Sequence, residues 1–351
     1  GGDEFAIVAP NTDNRQAALF AEKIAGAIKE VFEVGKQKLY VGVSIGVAIY
    51  PQHGTDAGTL TRHADISMYS AKRNKLDYSL YEMAGDERRL NNLALVGDLS
   101  AALENPGDLQ LYYQPRIDLR SHEVVGFEAL LRWPHPQLGP VSPAQIVKMA
   151  EHTGLAAALT QWVIETTLSQ ISRLQHAGRR FSMAVNLSAS NLQDPELPGA
   201  VARLLGEYGV PAEQLTLEVT ESAMMSDPVQ VRKVLMQLGE TGINIAVDDF
   251  GTGFSSLGYL KMLPLRELKI DKSFVMNMVA DENDATIVHS VIELAHNLGL
   301  TVTAEGVENQ QTQSLLQKQK CDMAQGFHIS LPLPGEAVQQ WLQDQRLQIA
   351  H

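Results

Sequence analysis

The sequence predicts a closed α/β barrel of eight strands whose first strand pair is antiparallel, a modified TIM-type (β/α)8 fold with a smaller α/β segment ahead of it. Short apolar runs alternate with amphipathic helical patterns over most of the chain. Only a turn at 118–123 joins the first two of these runs. A parallel crossover needs about a dozen residues or more, so that pair should be antiparallel. Polar side chains then recur at the carboxyl ends of nearly every strand, the end that forms the active face of such barrels.

In order, Gly1-Gly2-Asp3-Glu4-Phe5 reads as a tight turn, either a plain one or one whose backbone lies close to a phosphate. A strand over 5–9, a helix over 15–32, a strand over 39–49, a helix over 57–73 and a strand over 78–81 follow. A charged, partly amphipathic stretch at 86–103 predicts a connecting helix, closed by Asn105-Pro106-Gly107. The expected domains are 1–85, a linker at 86–107, and the barrel at 108–345. Barrel strands are predicted at 109–114, 124–130, 183–187, 215–219, 243–247, 268–270, 301–304 and 324–327, with helices such as 159–174, 198–208, 229–238 and 284–298 between them.

At 351 residues, 44% of them hydrophobic, the chain has room for about two domains. Its one cysteine, Cys321, excludes a disulfide framework and is expected to be a small buried hydrophobe. No apolar run approaches the ~20 residues of a membrane span and no leader pattern precedes the first strand. A cytoplasmic location is expected, compatible with an upstream membrane or sensor segment in a longer protein. Acidic residues outnumber basic ones 41 to 28, giving a formal charge of −13, which argues against long nucleic acid as a partner. A small anionic ligand is still admissible if metal ions supply positive charge locally. The Asn186-Leu187-Ser188 sequon is read as chance.

The apolar run at 243–247 ends in Asp248 and Asp249, followed by a glycine-rich turn. Two adjacent ionised carboxylates repel unless a cation joins them. The plain alternative ends the strand with Asp248 and uses Asp249 as a helix cap. Strand ends elsewhere carry Gln114, Glu128, Asn186, Glu218, Lys269 with Asp271, Glu305 and Gln325. Singly, each has a structural explanation: Asn186 as a turn former, Lys269 as a surface lysine, Glu218 as an outward strand position. Together they point to a polar cluster around a metal. The ten histidines show no zinc-binding spacing, and oxygen donors favour Mg2+ or Mn2+. Two such ions about 3.5–4 Å apart would activate water and stabilise the leaving oxygen of a phosphodiester. Asp248 is the natural bridge and Asp249 the extra ligand of the second ion. Lys269 would hold the attacking water or meet charge developing on the phosphoryl group.

The amino-terminal motifs, Gly1-Gly2-Asp3-Glu4-Phe5, Val43-Ser44-Ile45-Gly46-Val47-Ala48, and Ala64-Asp65 with Met68-Tyr69-Ser70-Ala71-Lys72, resemble the second half of a GGDEF (diguanylate cyclase) domain. Asn74-Lys75 replaces the glycine-arginine pair common after the last helix there. Family members carry further sheet and a metal-binding aspartate before the signature, so no cyclase activity is expected of this partial segment. Beyond it, Glu128-Ala129-Leu130 with Leu131-Arg132-Trp133 resembles the signature of the EAL domain, the cyclic di-GMP phosphodiesterase family. Further matches are Tyr113-Gln114-Pro115, Val185-Asn186-Leu187-Ser188, Leu217-Glu218-Val219-Thr220-Glu221, Asp248-Asp249-Phe250-Gly251, Leu268-Lys269-Ile270-Asp271, Ala304-Glu305-Gly306-Val307-Glu308 and Gln325-Gly326-Phe327.

That resemblance implies hydrolysis of cyclic di-GMP to linear pGpG at a two-metal Mg2+ or Mn2+ site. Glu128, Asn186, Glu218 and Asp248 should hold one ion, and Asp248, Asp249 and Glu305 the second. Lys269 should contact the nucleophilic water. Gln114, Leu131, Arg132, Asp271, Glu308, Gln325 and Phe327 are implied to line the ligand, with the planar fork of Arg132 on a phosphate. Glu221 should brace the loop at 250–257, which in the family is linked to dimerisation, so a homodimer through the barrel is expected. Phe327-His328-Ile329-Ser330-Leu331 departs from the Tyr-Leu-Phe-Ser-basic pattern common in the family; the lost tyrosine hydroxyl and basic side chain are expected to weaken ligand affinity without touching the metal ligands, and activity is expected to survive. One rival reading is a catalytically silent cyclic di-GMP receptor. Another is a signalling module in which GTP at Gly1 to Phe5 tunes the barrel. A general nuclease fits the charge balance least.

Overall fold

The computed structural model describes residues 5–10, 12–28, 32–34, 37–39, 42–73, 76–81, 95–105, 107–252 and 257–349. The chain divides into two compact units, 1–95 and 96–351.

The first unit contains α1 (Asn14–Ile28), β1 (Phe32–Val34), β2 (Gln37–Leu39), β3 (Ile45–Val47), α2 (Ala57–Arg73) and β4 (Tyr78–Leu80). A reciprocal cap starts α1: Asp13 Oδ1 accepts from Gln16 N at 2.8 Å, and Asp13 N donates to Gln16 Oε1 at 3.0 Å. Ala17, Ala21 and Ala25, four residues apart, form its buried stripe. β3 and β4 pair in parallel, joined by α2 as the crossover. That helix lies so close to the strand that a Cβ on Gly46 would fall 1.9 Å from the Ala64 carbonyl oxygen. Three expectations are corrected here. Residues 5–9 form no strand, since an apolar run becomes one only where a neighbouring backbone completes its hydrogen bonds, and none does among the described residues. The first helix ends at Ile28, and Phe32 opens the β1–β2 hairpin instead of closing the helix. The strand expected over 39–49 is two elements, β2 in the hairpin and β3 in the parallel pair. Gly1 to Glu4, Asn74-Lys75 and 82–94 lie outside the described residues.

The second unit opens with a helix over 95–104, here α3, which buries Leu99 and Ala102. Then come β5 (Gln110–Asp118), β6 (Val124–His135), β7 (Gly139–Val141), α4 (Pro143–Thr153), α5 (Ala156–His176), β8 (Ser182–Leu187) and α6 (Leu197–Tyr208). They are followed by β9 (Leu215–Thr220), α7 (Glu221–Met224), α8 (Pro228–Glu240), β10 (Asn244–Phe250), α9 (Leu257–Leu260) and β11 (Glu267–Ile270). The chain ends with α10 (Lys272–Val275), α11 (Glu282–Asn297), β12 (Thr301–Ala304), α12 (Gln310–Lys318), β13 (Met323–Gln325), β14 (Leu333–Pro334) and α13 (Ala337–Ile349).

Eight strands close the barrel in the order β5, β6, β8, β9, β10, β11, β12, β13, with β13 returning to β5; β7 and β14 extend it at β6 and β5. From β6 to β13 all neighbours are parallel, whereas β5 runs antiparallel to both β6 and β13. The short turn that forces this is locked by Asp118, whose Oδ1 accepts from Arg120 N at 2.8 Å and Ser121 N at 2.7 Å. Side chains alternate along each strand: on β9, Leu217 and Val219 are buried against the helical layer while Thr216 and Glu218 face the barrel interior. No helix among the described residues is long and apolar enough to cross a membrane.

Candidate active site

Four carboxylates from four different strands converge on one ammonium. Lys269 on β11 is wholly buried, with Nζ 2.6 Å from Glu305 Oε1, 2.8 Å from Glu218 Oε2, 3.2 Å from Asp248 Oδ1 and 3.4 Å from Glu128 Oε2. Glu218 and Asp248 lie near the carboxyl ends of β9 and β10, and Glu128 lies within β6 in register with Gln114. Glu305 lies just past β12, where its N–H donates to the Ile270 carbonyl at 3.2 Å and keeps it beside β11.

Amides fix Glu128 from both sides. Its Oε1 accepts from Asn186 Nδ2 at 2.7 Å, and its Oε2 from Gln325 Nε2 at 2.6 Å. Gln325 also donates to Gln114 Oε1 at 3.1 Å, and Gln114 donates to the Ser330 carbonyl at 3.2 Å. Asn186 is exposed, and with Nδ2 engaged its Oδ1 has no hydrogen bond among the described residues.

Consecutive strand residues normally face opposite sides, yet Asp248 and Asp249 serve one site. The β10–β11 register shifts between Val247 and Phe250, and Asp249 adopts a left-handed φ of 54°. This bulge re-aims the second aspartate at a modest backbone cost, low for an aspartate. Asp248, Asp249 and Glu305 each offer a ligand oxygen within 4.8 Å of the other two. Past the bulge, Gly251 N donates to Oε2 of the buried Glu221 at 3.2 Å. The rest of the loop, 253–256, lies outside the described residues.

The charges are strongly coupled. Burial disfavours the Lys269 ammonium, but Glu128, Glu218, Glu305 and Asp248 outweigh it and hold the pKa well above the usual lysine value. Glu128 is buried too, yet Lys269 and the two amides lower its pKa. Burial and the Glu128 charge raise Glu218 well above the carboxylate range. Burial raises Glu305 to about 7 against the pull of Lys269, and burial with Asp248 raises Asp249 to about 6. Asp271 caps α10 through Ser273 N at 3.0 Å, and despite partial burial its bonds to Ser273 lower its pKa.

The donor set fits hard cations. Five acids, Glu128, Glu218, Asp248, Asp249 and Glu305, surround a single lysine. The buried Glu218 Oε1 has no hydrogen-bond partner among the described residues. Acids raised by mutual repulsion are relieved by a divalent cation, and all donors are oxygen.

The remaining expected ligand contacts lie on β6, for Leu131 and Arg132, and just past β12 and β13, for Glu308 and Phe327. Arg132 lays its guanidinium over the Tyr112 ring, 5.6 Å from the centroid, and donates to the carbonyl of the buried Leu131 at 2.8 Å. Phe327 is 60% exposed, and Glu308 is also exposed. Among the described residues no hydrogen bond joins either to the acidic cluster. A second charged layer was not anticipated from the sequence. Arg116 is wholly buried, its Nη1 2.8 Å from Glu267 Oε1, which also accepts from Thr303 Oγ1 at 2.5 Å. The signal was present: Arg116 follows Gln114 by two on β5, and Glu267 precedes Lys269 by two on β11, so all four face inward.

A closed α/β barrel with an acidic mouth and a reversed first strand defines the class of protein. The EAL domain profile matches residues 96–332, and that of the diguanylate cyclase GGDEF domain matches residues 1–77. The chain belongs to the EAL domain family, with part of a GGDEF domain ahead of the barrel. It is 37% identical to the bifunctional diguanylate cyclase/cyclic di-GMP phosphodiesterase MucR of Pseudomonas aeruginosa, over 96% of this chain and 49% of that protein. To the cyclic di-GMP phosphodiesterase NbdA of the same organism it is 35% identical, over 99% of this chain and 45% of the relative. The solved MucR phosphodiesterase in complex with c-di-GMP superposes with a TM-score of 0.67 at 40% identity, covering 70% of this chain and 99% of that one. The chain thus spans about half the length of these full relatives.

Proposed function

We propose that this chain hydrolyses cyclic di-GMP to linear pGpG at a two-cation site of Mg2+ or Mn2+. The observation that carries the reading is the convergence of Glu128, Glu218, Asp248 and Glu305 on the Lys269 ammonium, in a barrel resembling one solved with c-di-GMP. Glu128, Asn186, Glu218 and Asp248 would hold one ion, and Asp248, Asp249 and Glu305 the other. When bound, the ions lower the pKa of water and offset charge on the phosphodiester. Lys269, kept charged by its acids, orients the attacking water and faces the developing negative charge. Gln114 and Gln325 fix Glu128. Arg132, Asp271, Glu308, Leu131 and Phe327 would position the dinucleotide, Arg132 on a phosphate and the exposed Phe327 ring against a base.

A homodimer through the barrel is part of this reading. Met225, Val229 and Met236 are exposed on and just ahead of α8, as are Leu257 and Met262 at α9, and Tyr259 OH donates to the Pro228 carbonyl at 2.9 Å. Because Gly251 hangs on Glu221, dimer geometry would reach Asp249 through this loop. GTP tuning through Gly1 to Phe5 remains the alternative role of the first unit, and a cytoplasmic location accompanies the substrate.

The deciding experiment follows pGpG by chromatography after incubating the chain with cyclic di-GMP and MgCl2 or MnCl2, beside Glu128→Ala. Product from the parent alone supports the reading. Binding of the dinucleotide without product would replace it with the receptor.

A further inference from the structure

Arg116 stands one layer below the acidic mouth. On β5 the chain runs away from the mouth, so the step from Gln114, paired with Glu128, to Arg116, paired with Gly126, descends into the barrel. A permanently charged guanidinium at this depth costs several kcal/mol unless compensated. Glu267 compensates it at 2.8 Å, and Ser182 Oγ accepts from Nη2 at 3.3 Å. The wall is cut back to admit it, since a Cβ on Gly126 would lie 2.5 Å from Ser182 Oγ and 3.3 Å from Arg116 Nη2.

The pair with Glu267 would suffice for a purely structural role, but the guanidinium has a second neighbour. Its Nη1 lies 4.0 Å from Glu218 Oε1, the oxygen without a hydrogen bond, while Lys269 takes Oε2 at 2.8 Å. Glu218 therefore has one cation at each oxygen. Glu267, the other acid on Arg116, is two residues from Lys269 on the same face of β11.

We propose that Arg116 is a positioning residue for the cation site. Through its charge it orients the Glu218 carboxylate, and through Glu267 it fixes the stretch of β11 that presents Lys269. The inference rests on the cation site proposed above.

The test removes the pair as a unit. Arg116→Met with Glu267→Met takes out one positive and one negative charge, so the net charge facing a cation is unchanged, and apolar residues of similar volume fill the space with little loss of stability. Calorimetric titration of the chain with MnCl2 alone should show affinity at least fivefold weaker than the parent, with thermal unfolding within a few degrees of it. In hydrolysis kcat should fall more than KM changes. Arg116→Lys keeps the charge and the Glu267 partner but loses the second edge of the fork, and it should weaken Mn2+ binding in the same direction. This single variant carries the test if the double one does not fold. Folded variants that bind Mn2+ as tightly as the parent would reduce Arg116 to a structural ion pair and overturn the proposal. A parent that binds no Mn2+ would overturn the cation site and this inference together, whereas cation binding without hydrolysis would sink only the catalytic reading.

Discussion

Gln325 reaches past β5 to donate to Glu128 Oε2 at 2.6 Å, tying the last barrel strand to the second. Gln325→Leu preserves bulk but removes that donor and the bond to Gln114. A lost hydrogen bond to a charged group is worth about 1.5–3 kcal/mol. We expect kcat for cyclic di-GMP to fall roughly tenfold to a hundredfold with unfolding nearly unchanged, measured by steady-state kinetics and denaturant melts.

Arg132 stands over Tyr112, with Leu131's carbonyl as its one hydrogen-bond acceptor among the described residues, and carries a planar fork on β6. Arg132→Ala should raise KM by about tenfold or more while sparing kcat, because a phosphate contact shared by ground and transition states acts on binding. A fall in kcat at constant KM would place this residue in the chemistry instead.

Glu221 anchors Gly251 two residues beyond Asp249. Glu221→Ala frees the turn that aims the second aspartate. The Mg2+ concentration for half-maximal hydrolysis should rise about tenfold, equivalent to 1.4 kcal/mol. Excess Mg2+ should restore most of the rate, and a failure of that rescue would count against loop bracing.

The raised acids make a pH prediction. Glu305 titrates near 7 and Asp249 near 6, so between the ordinary carboxylate range and pH 7 the native chain keeps protons that the unfolded chain has released. Stability without added cations therefore falls as pH rises from about 4.5 to 7, by linkage. Urea midpoints in EDTA should decline across that window, the slope should flatten in Glu305→Gln, and saturating Mn2+ should remove it.

Gly326 tests the frame that presents Gln325. A Cβ there would lie 2.1 Å from the Val307 carbonyl oxygen and 2.3 Å from Val307 N, both backbone atoms. Val307 N itself donates to the Gln325 carbonyl at 3.0 Å. Gly326→Ala should cost at least about 3 kcal/mol in urea unfolding, the scale of severe overpacking.

The acidic mouth was legible because parallel strands end there, so an acid, amide or lysine closing each apolar run marks the same face. Arg116 escaped that reading through direction: on the reversed strand, residues beyond Gln114 go deeper, and the rule of looking at carboxyl ends stops one layer short. Glu267 escaped because it opens its strand. The left-handed Asp249 was invisible for another reason. Adjacent aspartates announce a shared charge, but only the register of β10 against β11 reveals that a bulge brings both to one side. In the first unit, apolar residues 5–9 carry strand composition without a described partner, and composition alone cannot supply the missing ladder.

The reversed first strand also decides where the polypeptide comes in. In a uniformly parallel barrel the chain enters at the floor, opposite the active face. Here Gln110 is in register with Arg132 and Gln114 with Glu128, so the chain enters at the rim and leaves β5 at the floor. The segment leading into β5 therefore arrives on the side of the acidic mouth, and a shift of a single strand register there would move Gln114 off Glu128 without any signal crossing the barrel's interior.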